Sequence, residues 1–185
     1  DVGCGNGAWL EVLRAKGIVA EGLDPTPEAC AAARAKGLTV HEGWLERNEL
    51  PDASFDLITA NHCLEHSDNP EGFLRGCARL LKPGGVLHLA IPNVESWEAQ
   101  RAGAAWFHLD PPYHVCLPTQ RGLDAVLERS GLRVERRLYP VLAYCQTLAY
   151  ALAGRTHLPM WLVAPLLPVW AWANGVLAWQ GRTGT

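Results

Sequence analysis

The chain has no C-x-x-C pair, no run of lysine or arginine, no recognisable signal peptide and, beyond Glu135, no acidic residue. The six cysteines (Cys4, Cys30, Cys63, Cys77, Cys116 and Cys145) are dispersed, and several fall in apolar patterns. That excludes a disulfide scaffold and reads as buried small side chains in a reducing cytoplasm. The 16 basic and 19 acidic residues leave a formal charge of −3 without a basic block to track a phosphate backbone. Nucleic acid is therefore excluded as a principal partner. The missing signal peptide excludes nothing, because the chain opens inside a motif and not at a methionine.

What is present is an alternation of short apolar runs with amphipathic stretches, over a length of 185 residues that suits one α/β domain. The pattern predicts a doubly wound, mostly parallel sheet flanked by helices. Asp1-Val2 reads as the tail of a first strand whose start is truncated. Gly7 to Lys16 reads as a helix, Ile18 to Leu23 as a second strand, Pro27 to Lys36 as a helix and Leu38 to His41 as a third strand. Phe55 to Ala60 and Val86 to Ile91 read as buried central strands, joined by a helix over Pro70 to Leu81 that stops at Lys82-Pro83-Gly84-Gly85. Thr119 is placed to cap a further helix ending at Gly131, after which Leu132 to Arg137 reads as a strand.

At the first strand-to-helix turn stands Asp1-Val2-Gly3-Cys4-Gly5-Asn6-Gly7, where glycine permits a tight turn and close approach of backbone to a ligand. The spacing is G-x-G-x-G, one residue short of the dinucleotide fingerprint G-x-G-x-x-G. A glycine-rich turn without ligand is the plain alternative. Asp24 shifts the balance: it ends an apolar strand about 20 residues after the glycines, the place of an acid that accepts hydrogen bonds from ribose hydroxyls. Capping the following Pro25-Thr26-Pro27 turn is compatible with that role.

Five blocks then resemble the Rossmann-like, class I S-adenosylmethionine-dependent methyltransferases, nearest the ubiquinone-biosynthesis type. They are DVGCGNG, GLDPTPEAC, LPDASFDLITANHCLEH, LLKPGGVLHLAIPN and DPPYHVCLPTQRGLDAVLERSGL, together covering residues 1 to about 137. The resemblance implies a cofactor core over 1–137, with 138–185 as an apolar helical segment of the same domain. It implies S-adenosylmethionine as cofactor, Gly3, Gly5 and Gly7 along its methionine part, Asp1 anchoring that neighbourhood and Asp24 on the ribose. Leu45 falls where the family contacts adenine and Asn61 near the methionine amino group. Many relatives carry Asp where this chain has Trp44.

Methyl transfer from a sulfonium is an in-line displacement that asks for positioning and, for an oxygen or nitrogen acceptor, a base. The polar cluster His62-Cys63-Leu64-Glu65-His66 follows the fourth strand, and the resemblance implies Glu65 and His66 on the acceptor side, with His114 in a later segment as the other candidate base. The bare pattern H-x-x-E-H also marks zinc peptidases, but there the ligands share a helix, and here the cluster runs into a turn. Ubiquinone-type relatives use E-x-x-E-H for a divalent ion, whereas this chain has His62 in place of the first Glu. The reading taken is that Glu65 and His66 tie the loop to the sheet, with no metal; a site of His62, Glu65 and His66 is the alternative. The acceptor is expected to be a small molecule or a lipid-linked one, with O-methylation favoured. A cofactor-binding scaffold without turnover is the rival function.

From Leu138 onward the only charged side chains are Arg155 and Arg182, and Leu158 to Trp179 has no formal charge. Pro159, Pro165 and Pro168 argue against an unbroken membrane-crossing helix, while Trp161, Trp170, Trp172 and Trp179 suit a headgroup boundary. Two readings stand: helices packed over the sheet, or peripheral contact through 158–179 with the inner face of a membrane. The closing antiparallel strand usual in the family is not found before Thr185.

Overall fold

The computed structural model describes residues 1–139. In chain order the elements are α1 (Ala8–Ala15), β1 (Gly22–Asp24), α2 (Pro27–Ala35), β2 (Val40–Glu42), β3 (Phe55–Asn61), α3 (Pro70–Leu80), β4 (Leu81–Ala90), α4 (Trp97–Ala102) and α5 (Gln120–Arg129). They fall into two compact units, Asp1–Ala90 with Val126–Leu132, and Ile91–Ala125 with the described residues from Arg133.

The first unit carries the sheet. β1 pairs in parallel with β2, and β3 in parallel with β4. Val2 joins the two pairs, making parallel bridges to Leu23 and to Ala60. Its N–H donates to Thr59 O at 2.8 Å, and the neighbouring Gly3 N–H donates to Leu23 O at 2.8 Å. The order across the sheet is therefore β2, β1, Val2, β3, β4. The chain starts in the middle, winds to one side, and returns to build the other side through β3 and β4. At such a reversal the loops at the carboxyl ends of the strands part and leave a crevice.

Both sides of this sheet are packed by the expected chemistry. Cys4, Leu10, Cys30, Ala33, Leu38 and Val40 form one buried cluster between α1, α2 and the strands. α3 starts at a capped turn, with the Asn69 side chain accepting the Gly72 N–H at 3.0 Å and Pro70 in the first turn. Its buried residues Phe73, Leu74, Cys77 and Leu80 recur at helical spacing, which gives it one apolar face.

Several expected boundaries move, for one repeated reason. Ala15-Lys16-Gly17 and Ala35-Lys36-Gly37 each end a helix with a left-handed glycine, at φ 73° and 72°. The next residue still belongs to the helix closure: Ile18 N–H donates to Leu13 O, and Leu38 N–H to Ala33 O. Ile18 and Leu38 are thus not strand residues. β1 begins only at Gly22, Val19 is 97% exposed, and β2 begins at Val40.

The two central strands are also less uniformly buried than expected. Ile58, Thr59 and Ala60 are covered, whereas the register partners Leu57 and Val86 are 55% and 50% exposed. Lys82 to Gly85, expected as a loop, lies within β4, and the register with β3 shifts between Phe55 and Leu57. The anticipated strand over Leu132 to Arg137 does not form, since no ladder partner faces it among the described residues.

In the second unit, Ser96 Oγ caps α4 by accepting the Ala99 N–H at 3.0 Å. Trp106 and His108 are buried and meet edge to face, with ring centres 5.4 Å apart. Arg137 pairs with Asp124. α5 runs from this unit into the first, and its start is capped as expected, with Thr119 Oγ1 accepting the Gly122 N–H at 3.1 Å. No helix among the described residues is long and apolar enough to cross a membrane. The apolar stretch 158–179 lies outside the described residues.

Candidate functional site

The glycine turn issues from Val2 at the point of strand reversal. Gly3, Gly5 and Gly7 have φ of 69°, 52° and 79°, a region that penalises any side chain. Their surroundings differ. A Cβ on Gly3 would stand 2.4 Å from Cys63 Sγ, and one on Gly7 would stand 2.3 Å from Leu38 Cδ1. These two positions are glycine because the fold closes on them. A Cβ on Gly5 would meet nothing within 4 Å. Gly5 therefore presents bare backbone to open space, as a turn that receives a ligand should.

Asp24 closes the turn from the end of β1. It is buried, and its two carboxylate oxygens are held apart in role: Oδ2 accepts the Gly5 N–H at 2.8 Å, and Oδ1 accepts the Thr26 N–H at 2.9 Å. One side chain thereby fixes both the glycine turn and the entry to α2. Each oxygen keeps a further lone pair, enough to accept a hydroxyl. Lys36, at the end of α2, reaches back to donate to Asn6 O at 3.0 Å while pairing with Glu11. Asp1 is held by Thr59, whose Oγ1 donates to Asp1 Oδ1 at 2.6 Å. Neither Thr59 nor Lys36 was singled out by the sequence reading. Thr59 is a polar residue inside an apolar strand, a signal that could have found it, whereas the reach of Lys36 to Asn6 has no local mark.

Leu45 is buried in a short 3₁₀ turn, and its Cγ would lie 2.9 Å from a Cβ on Gly76 of α3. Its side chain serves the core, so what it offers a ligand is backbone. Trp44 beside it is 60% exposed. Asn61 is exposed at the carboxyl end of β3.

The loop after β3 is built on a contorted backbone, with His62 at φ 54°. That turn brings His62 Nδ1 to 2.9 Å from Glu65 Oε1. Glu65 is fully buried, and its other oxygen, Oε2, has no hydrogen-bond partner among the described residues. A buried carboxylate oxygen left unpaired is costly, and a donor arriving there would be welcome. His66 is exposed on the same loop. His114 belongs to the second unit, where its Nδ1 lies 2.7 Å from His108 O. A carbonyl can only accept, so Nδ1 carries a proton and the neutral ring keeps its lone pair on Nε2.

Neither of the two thiols beside the glycine turn, Cys4 and Cys63, is poised as a nucleophile. Burial, and then Asp24 and Cys30, push Cys4 up to about 11. Burial, then Glu65 and Asp24, push Cys63 up to about 12. Both stay protonated at physiological pH.

A family model described as a methyltransferase domain matches residues 1–136. The ubiquinone biosynthesis O-methyltransferase of Sodalis glossinidius is 33% identical over 115 residues, covering 57% of this chain and 46% of that protein. The Rhizobium leguminosarum protein of the same name is 32% identical over 149 residues, covering 74% of this chain and 59% of its own length. The chain spans about half the length of the curated relatives it matches. Among solved structures, a SAM-dependent methyltransferase from Archaeoglobus fulgidus superposes with a TM-score of 0.63 at 25% identity, covering 76% of this chain and 63% of that one.

The unequal surroundings of the glycines predict unequal costs. Gly5→Ala should lose about 1–2 kcal/mol of stability in urea unfolding, from backbone strain alone. Gly7→Ala adds the collision with Leu38 and should lose about 2–4 kcal/mol. Equal losses would contradict the packing described.

Proposed function

Since the chain belongs to the methyltransferase-domain family, we propose that it transfers the methyl group of S-adenosylmethionine to a small-molecule or lipid-linked acceptor, most readily at oxygen. The observation that carries this reading is the pairing of an open Gly5 with the buried carboxylate of Asp24. The residues fit the cofactor: bare backbone at Gly5 leaves room for it, and Asp24 stands with unused lone pairs where ribose hydroxyls would donate. When bound, the sulfonium would supply an electrophilic methyl carbon open to in-line attack by the acceptor, with the thioether of S-adenosylhomocysteine as leaving group.

What the chain itself contributes is placement and proton handling. Asp24, already oriented by Gly5 and Thr26, accepts from the ribose without rearranging, so little ordering remains to be done on binding. Asp1, Gly3, Gly5 and Gly7 hold the methionine part, Asn61 its amino end, and the backbone at Leu45 the adenine. Glu65 Oε2 is suited to accept from an acceptor hydroxyl. His66 or His114 takes the proton, His114 through Nε2. His62 Nδ1 and Glu65 Oε1 lie 2.9 Å apart, a hydrogen bond that ties the loop. The uncharged composition of Leu158 to Trp179 favours a greasy acceptor met at the inner face of a membrane, with the enzyme in the cytoplasm.

Calorimetry with S-adenosylhomocysteine tests the cofactor half. Asp24→Ala should weaken binding by about 1.5–3 kcal/mol, because charge-assisted hydrogen bonds are lost in a partly desolvated site; unchanged affinity would remove Asp24 from the ribose.

Turnover assays test the chemical half. Either His66→Ala or His114→Ala should slow methyl transfer about 10²–10⁴-fold with cofactor affinity preserved. Near-wild-type rates in both, across pH, would leave the acceptor to ionise unaided. Inhibition by a chelator, reversed by a divalent ion, would reassign His62, Glu65 and His66 as ligands, and binding without any turnover would favour a scaffold.

A further inference from the structure

We propose that Cys63 is a positioning residue for the cofactor, its thiol locking the glycine turn in the shape that receives the ligand; this rests on the methyltransferase reading above. The Cys63 Sγ has one proton and two carbonyl oxygens before it, Val2 O and Asn61 O, each at 3.2 Å. The thiol bridges the end of the first strand and the end of β3, on the side where both strands deliver their loops. Val2 is the residue whose backbone joins the two halves of the sheet, so the bridge acts where the crevice opens.

The same sulfur is also a steric stop. It lies 2.4 Å from where a Cβ on Gly3 would stand, so the bare backbone of residue 3 and the thiol of residue 63 are matched in shape. Any side chain at residue 3 would collide with the sulfur. Its N–H meanwhile stays bonded to Leu23 O. Cys63 also follows His62, whose left-handed backbone turns the chain back toward the sheet. One thiol therefore couples the loop of His62, Glu65 and His66 to the turn of Gly3, Gly5 and Gly7.

Electrostatics keep the lock closed. Burial is the main influence that raises the thiol, and the carboxylates of Glu65 and Asp24 follow. A thiolate there would face both, the one assigned to the acceptor and the one assigned to the ribose. The group stays a proton donor throughout the physiological range.

Three forms of the full chain separate this role from simple packing: wild type, Cys63→Ser, which keeps a donor, and Cys63→Ala, which does not. S-adenosylhomocysteine affinity by calorimetry should fall about three- to tenfold in Cys63→Ala and stay within about twofold in Cys63→Ser. The KM for S-adenosylmethionine should rise in parallel in Cys63→Ala and return to the wild-type value in Cys63→Ser. Amide hydrogen exchange at Gly3 should quicken in Cys63→Ala and not in Cys63→Ser. Equal affinity in Cys63→Ala, or an equal loss in both variants, would overturn the assignment. If wild type itself failed to bind S-adenosylhomocysteine, the methyltransferase reading would fall, and the exchange rate at Gly3 would still decide whether the lock exists.

Discussion

The buried carboxylate of Asp24 accepts the Gly5 N–H with one oxygen and the Thr26 N–H with the other. Without the first bond, a turn of three left-handed glycines would have many conformations and no reason to keep one. Without the second, β1 would not hand over to α2 at a fixed angle. Asp24 can do both only because Val2 places the turn beside β1, bonded to Leu23 on one side and to Thr59 on the other. The crevice of the sheet, the openness of Gly5 and the direction of the spare lone pairs all depend on that one side chain.

This arrangement suits a reaction in which geometry carries most of the work. A displacement at a sulfonium methyl group needs no enzyme nucleophile, and the thiols of Cys4 and Cys63, held protonated, supply none. The polar groups that could handle a proton belong to the loop after β3 and, in the second unit, to the segment around His114. Glu65 combines full burial, a bond to His62 and one unsatisfied oxygen. Such an imbalance is expensive in a folded protein unless a ligand relieves it.

Much of the fold was legible because helix spacing, caps and glycine stops are local signals. α3 was marked by Pro70 at its start, and α5 by Thr119 and Gly131. The strand starts were not legible, since Ile18 and Leu38 look like strand residues and differ from them only in donating back to Leu13 and Ala33. The ladder decided what hydrophobicity could not. The glycines and Asp24 were marked by type and spacing, and the structure joins them through the Gly5 N–H to Asp24 bond. Leu45 was assigned to the adenine by resemblance alone, and its side chain faces Gly76, a packing choice set by α3. Cys63 carried no mark of its own within the cluster His62 to His66, because its bonds to Val2 and Asn61 come from chain reversal that no local pattern encodes.

The central claim, that the open turn at Gly5 and the carboxylate of Asp24 form the nucleoside side of a methyl-donor site, is tested most directly by amide nuclear magnetic resonance titration of the full chain. With S-adenosylhomocysteine, the largest shifts should fall on Gly3, Gly5, Gly7 and the residues flanking Asp24, and NAD at the same concentration should leave them in place. Shifts centred elsewhere, or an equal response to NAD, would contradict the account.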